Sequence, residues 1–213
     1  MKHIIDITTW ERRPNYEFFL GFQNPTISIT SEVECGGAKA RAKAAGQSFF
    51  LHYVYAVLRA VNEIKEFRFR IDADKQVAYY DTVDLLSPIK VGENGRFFTV
   101  RFRWHKDFET FYAEAKAMIA AIDPDGDPYT AEQKGGSELL DVILLSATPD
   151  LYFTSLTCTQ EHRHGSNYPL MNAGKAITRD GKLVMPIAMT IHHGFVDGHH
   201  LSLFYKTVEE WLK

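Results

Sequence analysis

The segment from Ser48 to Ile64 constrains the fold more than any other part of the sequence. Its apolar side chains recur every three or four residues, the period of an α-helix, while Arg59 and Glu63 fall on the other side. The apolar positions are Phe50, Leu51, Val54, Val57, Leu58, Val61 and Ile64. Because so broad an apolar face must be covered by other elements, the pattern predicts a core helix.

Three further segments show helical periodicity. One begins near Asp107, whose carboxylate suits the first turn of a helix, and ends before the turn at Asp123–Gly126. A second predicted helix covers Ser31–Ala45, with glycines that lower its helical preference. From His199 a C-terminal helix is indicated by apolar residues at helical spacing, namely Leu201, Phe204, Val208, Trp211 and Leu212.

Strand patterns occupy the stretches between these helices. Phe67–Ile71 and Gln76–Tyr80 flank a short polar turn and predict a hairpin. Pro186 inside a late strand indicates an edge or a bulge. Further strands are predicted at Thr99–Trp104, Val142–Leu145, Leu151–Thr157, Lys175–Thr178 and Leu183–Ile191. The sequence therefore predicts a mixed α/β fold of the α+β class, with helices packed on one mixed sheet, as a single domain over residues 1–213.

Charge and composition exclude several classes of partner. The net charge is -3 and the chain has no Lys/Arg run, so neither nucleic acid nor an anionic membrane is an expected partner. No apolar stretch approaches the ~20 residues that cross a bilayer, and the first ten residues lack a signal-peptide pattern, so we expect a cytoplasmic protein. The only two cysteines, Cys35 and Cys158, form neither a disulfide framework nor a metal motif.

The pair His192 and His193 is the strongest candidate for chemistry. It ends the last strand just before Asp197, and strand ends often carry functional residues. Because imidazole titrates near neutral pH, a positioned neutral histidine can accept a proton from a hydroxyl and later return it. Two other interpretations stay open on these residues alone: a hydrogen-bonded structural histidine, or a metal site with His199 and His200. The histidine spacing matches no zinc pattern, so no metal is expected.

The segment His192–His200 resembles the HHxxxDG signature of the chloramphenicol acetyltransferase family, a relative of the dihydrolipoyl acyltransferase catalytic domains. The resemblance extends over nearly the whole chain, with matching order and spacing. It includes Thr9–Arg13, Glu66–Arg68, Tyr80–Val83, Leu145–Pro149, Phe153–Ser155 and Leu183–Pro186. This resemblance implies a two-layer sandwich of the CoA-dependent acyltransferase type.

The resemblance also implies roles for individual residues. His193 matches the family's catalytic base, Ser146 matches its oxyanion-stabilising serine, and Arg12 and Asp197 match a salt-bridged pair that steadies the site. Acetyl-CoA would be the co-substrate, and a hydroxyl of chloramphenicol would be the leading acceptor. The family further implies a homotrimer whose active sites lie at subunit interfaces. A covalent mechanism through a Ser146, His193, Asp197 triad is disfavoured, because no nucleophile-elbow glycines surround Ser146.

Departures from the family pattern concern mainly the substrate. Asn172 stands where the family usually has a threonine that helps to bind the transition state, and Asp150 replaces a common tryptophan. Phe19, with Phe18 and Phe22, offers aromatic surface for the acceptor, although core or interface roles would explain these rings equally well.

Two alternatives to chloramphenicol acetylation remain. In the first, the same scaffold would acetylate another hydroxylated xenobiotic or a lipoyl thiol. The lipoyl thiol is disfavoured, because no lipoyl or subunit-binding segment is expected ahead of the catalytic domain. A small-molecule binding module without catalysis is the second alternative, and the full set of Arg12, Ser146, His193 and Asp197 argues against it.

Overall fold

A computed structural model describes residues 1–92, 95–129, 140–158 and 168–213 of the chain. Its described part forms five α-helices: α1 Arg13–Leu20, α2 Gly36–Ala45, α3 Phe49–Glu63, α4 Phe108–Ala120 and α5 Gly198–Leu212. The ten strands are β1 Lys2–Ile4, β2 Thr26–Glu34, β3 Phe69–Ile71, β4 Val77–Tyr80, β5 Asp84–Val91, β6 Arg96–Phe102, β7 Val142–Thr148, β8 Leu170–Gly174, β9 Ile177–Arg179 and β10 Lys182–His192.

The main sheet is mixed, as predicted. Its strand order is β2-β10-β8-β7-β5-β6, and β9 pairs with the first part of β10. Strands β5 and β8 run parallel to β7, whereas the other pairs are antiparallel. A second, three-stranded sheet joins β1, β4 and β3. The prediction of a single sheet was incomplete in this respect, because β1 is only three residues long and gives no recognisable strand pattern.

Helices α3 and α5 pack on one face of the main sheet. Ten of the fifteen residues of α3 are buried, which confirms the predicted core helix. Buried residues of α5, β7, β8 and β10 belong to the same apolar cluster, among them Leu145, Met171, Ile187, Met189 and Phe204. The helix predicted near Asp107 is also confirmed: Asp107 is the N-cap of α4, and its carboxylate accepts the Thr110 N–H at 2.8 Å.

The helix predicted over Ser31–Ala45 is wrong in its first part. Ser31 to Glu34 belong to β2, where Ser31 lies opposite Ile187 of β10, and only residues 36–45 are helical. Pairing with a distant strand therefore outweighs the local helical pattern at this position.

The strand predicted at Leu151–Thr157 is absent, because this segment passes over the sheet instead of pairing within it. The Phe153 ring lies against Gly174, where an added Cβ would approach it to 2.7 Å. Tyr152 donates its hydroxyl hydrogen to Glu32 of β2 at 2.7 Å. Side chains of this segment thus contact β8 and β2 without the segment forming a strand.

Pro186 lies inside the sheet and not at its edge, since β10 has neighbours on both sides. On one side it pairs with Glu32 of β2. On the other side β9 pairs with β10 up to Val184 and β8 only from Ile187 onward, so Pro186 falls in the gap between them. A residue without a backbone N–H is tolerated at such a break in the ladder.

Candidate active site

The turn that follows β10 is organised by backbone hydrogen bonds. The N–H groups of Phe195 and Val196 both donate to the His192 carbonyl at 3.1 Å, and the His193 N–H donates to the Pro25 carbonyl at 2.8 Å. Asp197 then caps α5, with its carboxylate accepting the His199 N–H at 3.0 Å. The histidine pair is therefore held between a central strand and the start of a core helix.

The His193 imidazole has one nitrogen fixed by the backbone. Its Nδ1 lies 3.0 Å from the Val196 carbonyl oxygen, which can only accept a hydrogen bond, so Nδ1 carries the proton. In the neutral ring Nε2 then has a free lone pair. The Phe19 ring stacks on the imidazole with a centroid distance of 4.1 Å and an interplanar angle of 22°. His193 and Phe19, predicted separately as base and acceptor-binding residue, are thus in direct contact, and the half-buried imidazole is held in one orientation.

His192 has a contrasting environment. It is 5% exposed, and its Nδ1 accepts the Gly194 N–H at 3.1 Å. Burial, and secondarily the charge of neighbouring His193, lowers the pKa of His192 to about 4. The ring therefore stays neutral at neutral pH and is a weaker proton acceptor than an ordinary imidazole. Its Nε2 is buried and has no hydrogen-bond partner among the described residues.

Gly194 permits close packing within this turn. A Cβ at this position would lie 2.9 Å from the His192 ring and 3.2 Å from the Tyr16 Cα. The His192 ring also stacks on Phe195 at 4.6 Å between centroids. A side chain at position 194 would push these groups apart, because backbone and stacked rings cannot move freely.

Arg12 and Asp197 form the predicted ion pair. Both terminal guanidinium nitrogens of Arg12 lie 3.2 Å from Oδ2 of Asp197. Burial alone would raise the pKa of the Asp197 carboxyl, but His200, Arg12 and the His199 N–H outweigh it, so the pKa lies below its ordinary value. Asp197 is therefore ionised at neutral pH and ties the start of α5 to the residue that precedes α1.

Ser146 and Asn172 lie next to each other but far from His193. They are register partners in β7 and β8, and Asn172 is in turn opposite Ala188 of β10. The Asn172 Oδ1 accepts the Thr148 hydroxyl hydrogen at 2.9 Å. His193 is five positions beyond Ala188, which corresponds to about 16 Å along the strand. Within one chain, the two predicted residues Ser146 and His193 are therefore not brought together.

His200 is a neighbour of the site that the sequence analysis considered only as a metal ligand. Its Nδ1 lies 3.2 Å from the Asp197 backbone N and 2.9 Å from Oδ1 of that residue, and its Nε2 lies 3.7 Å from Glu66. The signal available in the sequence was the spacing of a capping box, in which the third helical residue reaches back to the N-cap. That signal was missed because the third residue is normally Glu or Gln. The described residues contain no group of three or more His, Cys, Asp or Glu side chains arranged to hold a metal ion.

Chemically, the site can accept a proton at a fixed position. His193 lies beside an aromatic cluster of Phe18, Phe19 and Phe22, whose rings contact one another and of which Phe18 and Phe22 are exposed. This arrangement suits deprotonation of a polar group on a largely apolar molecule.

The solved structures with similar folds include acyltransferases. The dihydrolipoamide acetyltransferase of Azotobacter vinelandii is 16% identical, with a TM-score of 0.60 over 93% of this chain and 85% of that chain. A structure named chloramphenicol acetyltransferase is 70% identical, with a TM-score of 0.96 and full coverage of both chains. The first similarity supports the fold class, and the second extends to the sequence.

Comparisons of the sequence agree with this result. The family model for chloramphenicol acetyltransferase matches residues 2–209. A chloramphenicol acetyltransferase of Clostridium perfringens is 26% identical, covering 98% of this chain and 93% of the relative. One of Staphylococcus aureus is 24% identical over 99% of both chains. The family match and the 70% identical structure thus define an acyltransferase. The chain belongs to the chloramphenicol acetyltransferase family, as its motif predicted.

Proposed function

We propose that this protein transfers the acetyl group of acetyl-CoA to a hydroxyl of chloramphenicol, with His193 as the general base. The observation that carries the proposal is the contact between His193 Nδ1 and the Val196 carbonyl, which leaves Nε2 free to accept a proton. Family membership over residues 2–209 supports the acyl-transfer chemistry, and the names of the relatives support the acceptor.

His193 would act twice in the reaction. Its Nε2 first takes the proton of the acceptor hydroxyl, so that the oxygen attacks the thioester carbonyl and forms a tetrahedral oxyanion. When the carbon–sulfur bond breaks, the imidazolium returns that proton to the departing thiolate. Ester and free CoA thiol are formed in equal amounts, and no acetyl group is carried by the enzyme.

Ser146 would donate a hydrogen bond to the oxyanion, a contribution typically worth about 2.7 to 4 kcal/mol. Its distance from His193 within one chain requires that the two residues come from different subunits. We therefore propose a homotrimer in which Ser146 and Asn172 of one subunit face His193 of the next. The register of β7, β8 and β10 supports this arrangement, since it separates the two residues by five positions along the sheet.

The acceptor would bind against the aromatic surface around Phe19. Phe18 and Phe22 are 63% and 50% exposed, so an aromatic acceptor or an adjoining subunit would bury considerable apolar area there. Arg12 and Asp197 would hold the start of α5 in place without touching the reacting atoms. We also propose a cytoplasmic location, because acetyl-CoA is available to the enzyme there.

Release of free thiol from acetyl-CoA, followed with a thiol reagent, tests the proposed function. We expect release to depend on chloramphenicol and to be abolished by His193→Ala. His3→Ala is a matched control, since His3 is exposed and lies on the small sheet. If thiol is released with another hydroxylated compound or with dihydrolipoamide, but not with chloramphenicol, that compound and not chloramphenicol is the acceptor. Binding of chloramphenicol without any release would favour the non-catalytic module, and a burst of acetyl-enzyme without acceptor would contradict direct transfer.

A further inference from the structure

The peptide group between Val196 and Asp197 is engaged by a histidine on each side. Its carbonyl accepts the hydrogen bond of His193 Nδ1 at 3.0 Å, and its N–H points to His200 Nδ1 at 3.2 Å. Because the C=O and N–H of a trans peptide point in opposite directions within one plane, this unit connects the two imidazole rings. We propose that His200 is a positioning residue for the reaction, which holds this peptide so that its carbonyl keeps the His193 proton on Nδ1.

This inference rests on the proposed role of His193 as the base. A base at Nε2 requires the opposite nitrogen to carry the proton, and the Val196 carbonyl imposes that tautomer. If the peptide rotates, the carbonyl moves away and the proton is no longer confined to Nδ1. A ring with its proton on Nε2 cannot accept the proton of the acceptor hydroxyl at that nitrogen.

The hydrogen bonds around His200 determine which of its ring nitrogens carries the proton. The Asp197 N–H has no other acceptor among the described residues, so His200 Nδ1 must be unprotonated to satisfy it. Oδ1 of Asp197 lies 2.9 Å from the same nitrogen and accepts the His199 N–H at 3.0 Å, but the capping-box geometry makes the His200 side chain the acceptor of the Asp197 N–H. The proton of His200 therefore lies on Nε2, which faces the Glu66 carboxylate at 3.7 Å.

The His200 ring is well placed to fix the peptide. It is only 11% exposed and belongs to the first turn of α5. Leu201 and Phe204 of the same helix are buried in the core. The acceptor for the Asp197 N–H is thus attached to a rigid element, and movement of the peptide is restrained from its N–H side as well as by the turn that carries His193.

A purely structural explanation exists and predicts different results. His200 occupies the capping-box position of α5, and loss of a helix cap typically costs about 1 kcal/mol of stability. On this explanation a substitution lowers the melting temperature but leaves kcat unchanged. Asp107→Ala is the matched control, because it removes the cap of α4, whose acceptor contact to Thr110 is remote from the site.

The experiment compares His200→Leu and His200→Gln in the thiol-release assay. Leu provides no acceptor, whereas Gln restores one at the position where capping boxes normally use it. We expect His200→Leu to lower kcat about tenfold with little change in KM, and His200→Gln to recover most of that loss. Asp107→Ala should lower the melting temperature and leave kcat at the wild-type value. A His200→Leu enzyme with wild-type kcat would overturn the proposal.

Imidazole ¹⁵N NMR of the wild-type protein at pH 8 gives a second measurement that needs neither activity nor a variant. We expect His193 to be protonated on Nδ1 and His200 on Nε2, with His193 becoming a mixture of tautomers in His200→Leu. Protonation of His200 on Nδ1 would contradict the inference even if the variants do not fold. If wild-type thiol release is absent while these tautomers are found, the proposed function fails and the positioning of His193 by His200 stands.

Discussion

Mixed trimers of two inactive variants test whether the active site is shared between subunits. His193→Ala lacks the proposed base and Ser146→Ala lacks the proposed oxyanion donor, so each variant alone should have little activity. In one chain these residues lie about 16 Å apart along the strand direction, and in the proposed trimer they meet across an interface. Co-assembly of the two variants then creates some subunit interfaces at which an intact His193 faces an intact Ser146.

The expected recovery of activity follows from the number of such intact interfaces. In a closed ring with one site per interface and random mixing, the intact fraction is the product of the two variant fractions, which reaches roughly one quarter at equal amounts. We expect about 25% of wild-type kcat in the mixture, against about 10²- to 10³-fold losses for Ser146→Ala alone. Activity should fall symmetrically when either variant is in excess.

The two variants should be co-refolded or co-expressed, and native mass spectrometry should establish that mixed trimers are present. Thiol release at saturating acetyl-CoA and chloramphenicol then gives kcat across the mixing series. A wild-type and His193→Ala series serves as the control, in which activity should be proportional to the wild-type fraction. If mixed trimers form but activity equals the average of the two variants at every ratio, the shared site is refuted.

Two further predictions concern the turn after β10. Gly194→Ala should lower kcat and destabilise the protein by about 1 to 3 kcal/mol, because the new methyl group would lie 2.9 Å from the His192 ring and 3.2 Å from the Tyr16 Cα. Urea unfolding measures the stability, and the thiol-release assay measures kcat. A variant as stable as the wild type would contradict this packing. Because the folded-state pKa of His192 is about 4, below the ordinary value near 6.5, the unfolded chain binds more protons below pH 6.5. This residue therefore contributes stability that is present above pH 6.5 and is lost as pH falls to 4, by up to about 3 kcal/mol. His192→Gln should flatten the unfolding free energy over that pH range, and an unchanged slope would contradict the buried neutral ring.

The sequence predicts those parts of the fold that rest on local patterns. Helix α3 has a broad apolar face, and α4 begins at a carboxylate cap, so both were identified from spacing and residue type. Residues 31–34 of the predicted helix Ser31–Ala45 were assigned wrongly, because their strand state depends on pairing with β10. The aromatic and apolar residues of Leu151–Thr157 have the sequence pattern of a strand, although this segment does not pair with the sheet. In both cases the deciding contacts lie far away in the sequence.

The candidate site, like the fold, was only partly predicted from the sequence. The motif located His193 and Asp197, and the ion pair with Arg12 and the contact with Phe19 are present in the structure. The position of His200 on the Asp197 N–H was not predicted, because a histidine is an unusual partner in a capping box. The separation of Ser146 from His193 depends on strand register, which no local pattern in the sequence contains.

The place of β2 in the main sheet has a consequence for synthesis of the chain. Its partner strand β10 enters the register only about 150 residues later, at Val184 opposite Glu34. At translation rates of about 5 to 20 residues per second, β2 therefore waits roughly 8 to 30 s for its partner. During that time a strand rich in β-branched residues has unsatisfied backbone groups and can pair with other nascent chains. Soluble yield of this protein should therefore depend on chaperone capacity and growth temperature more than its final stability would suggest.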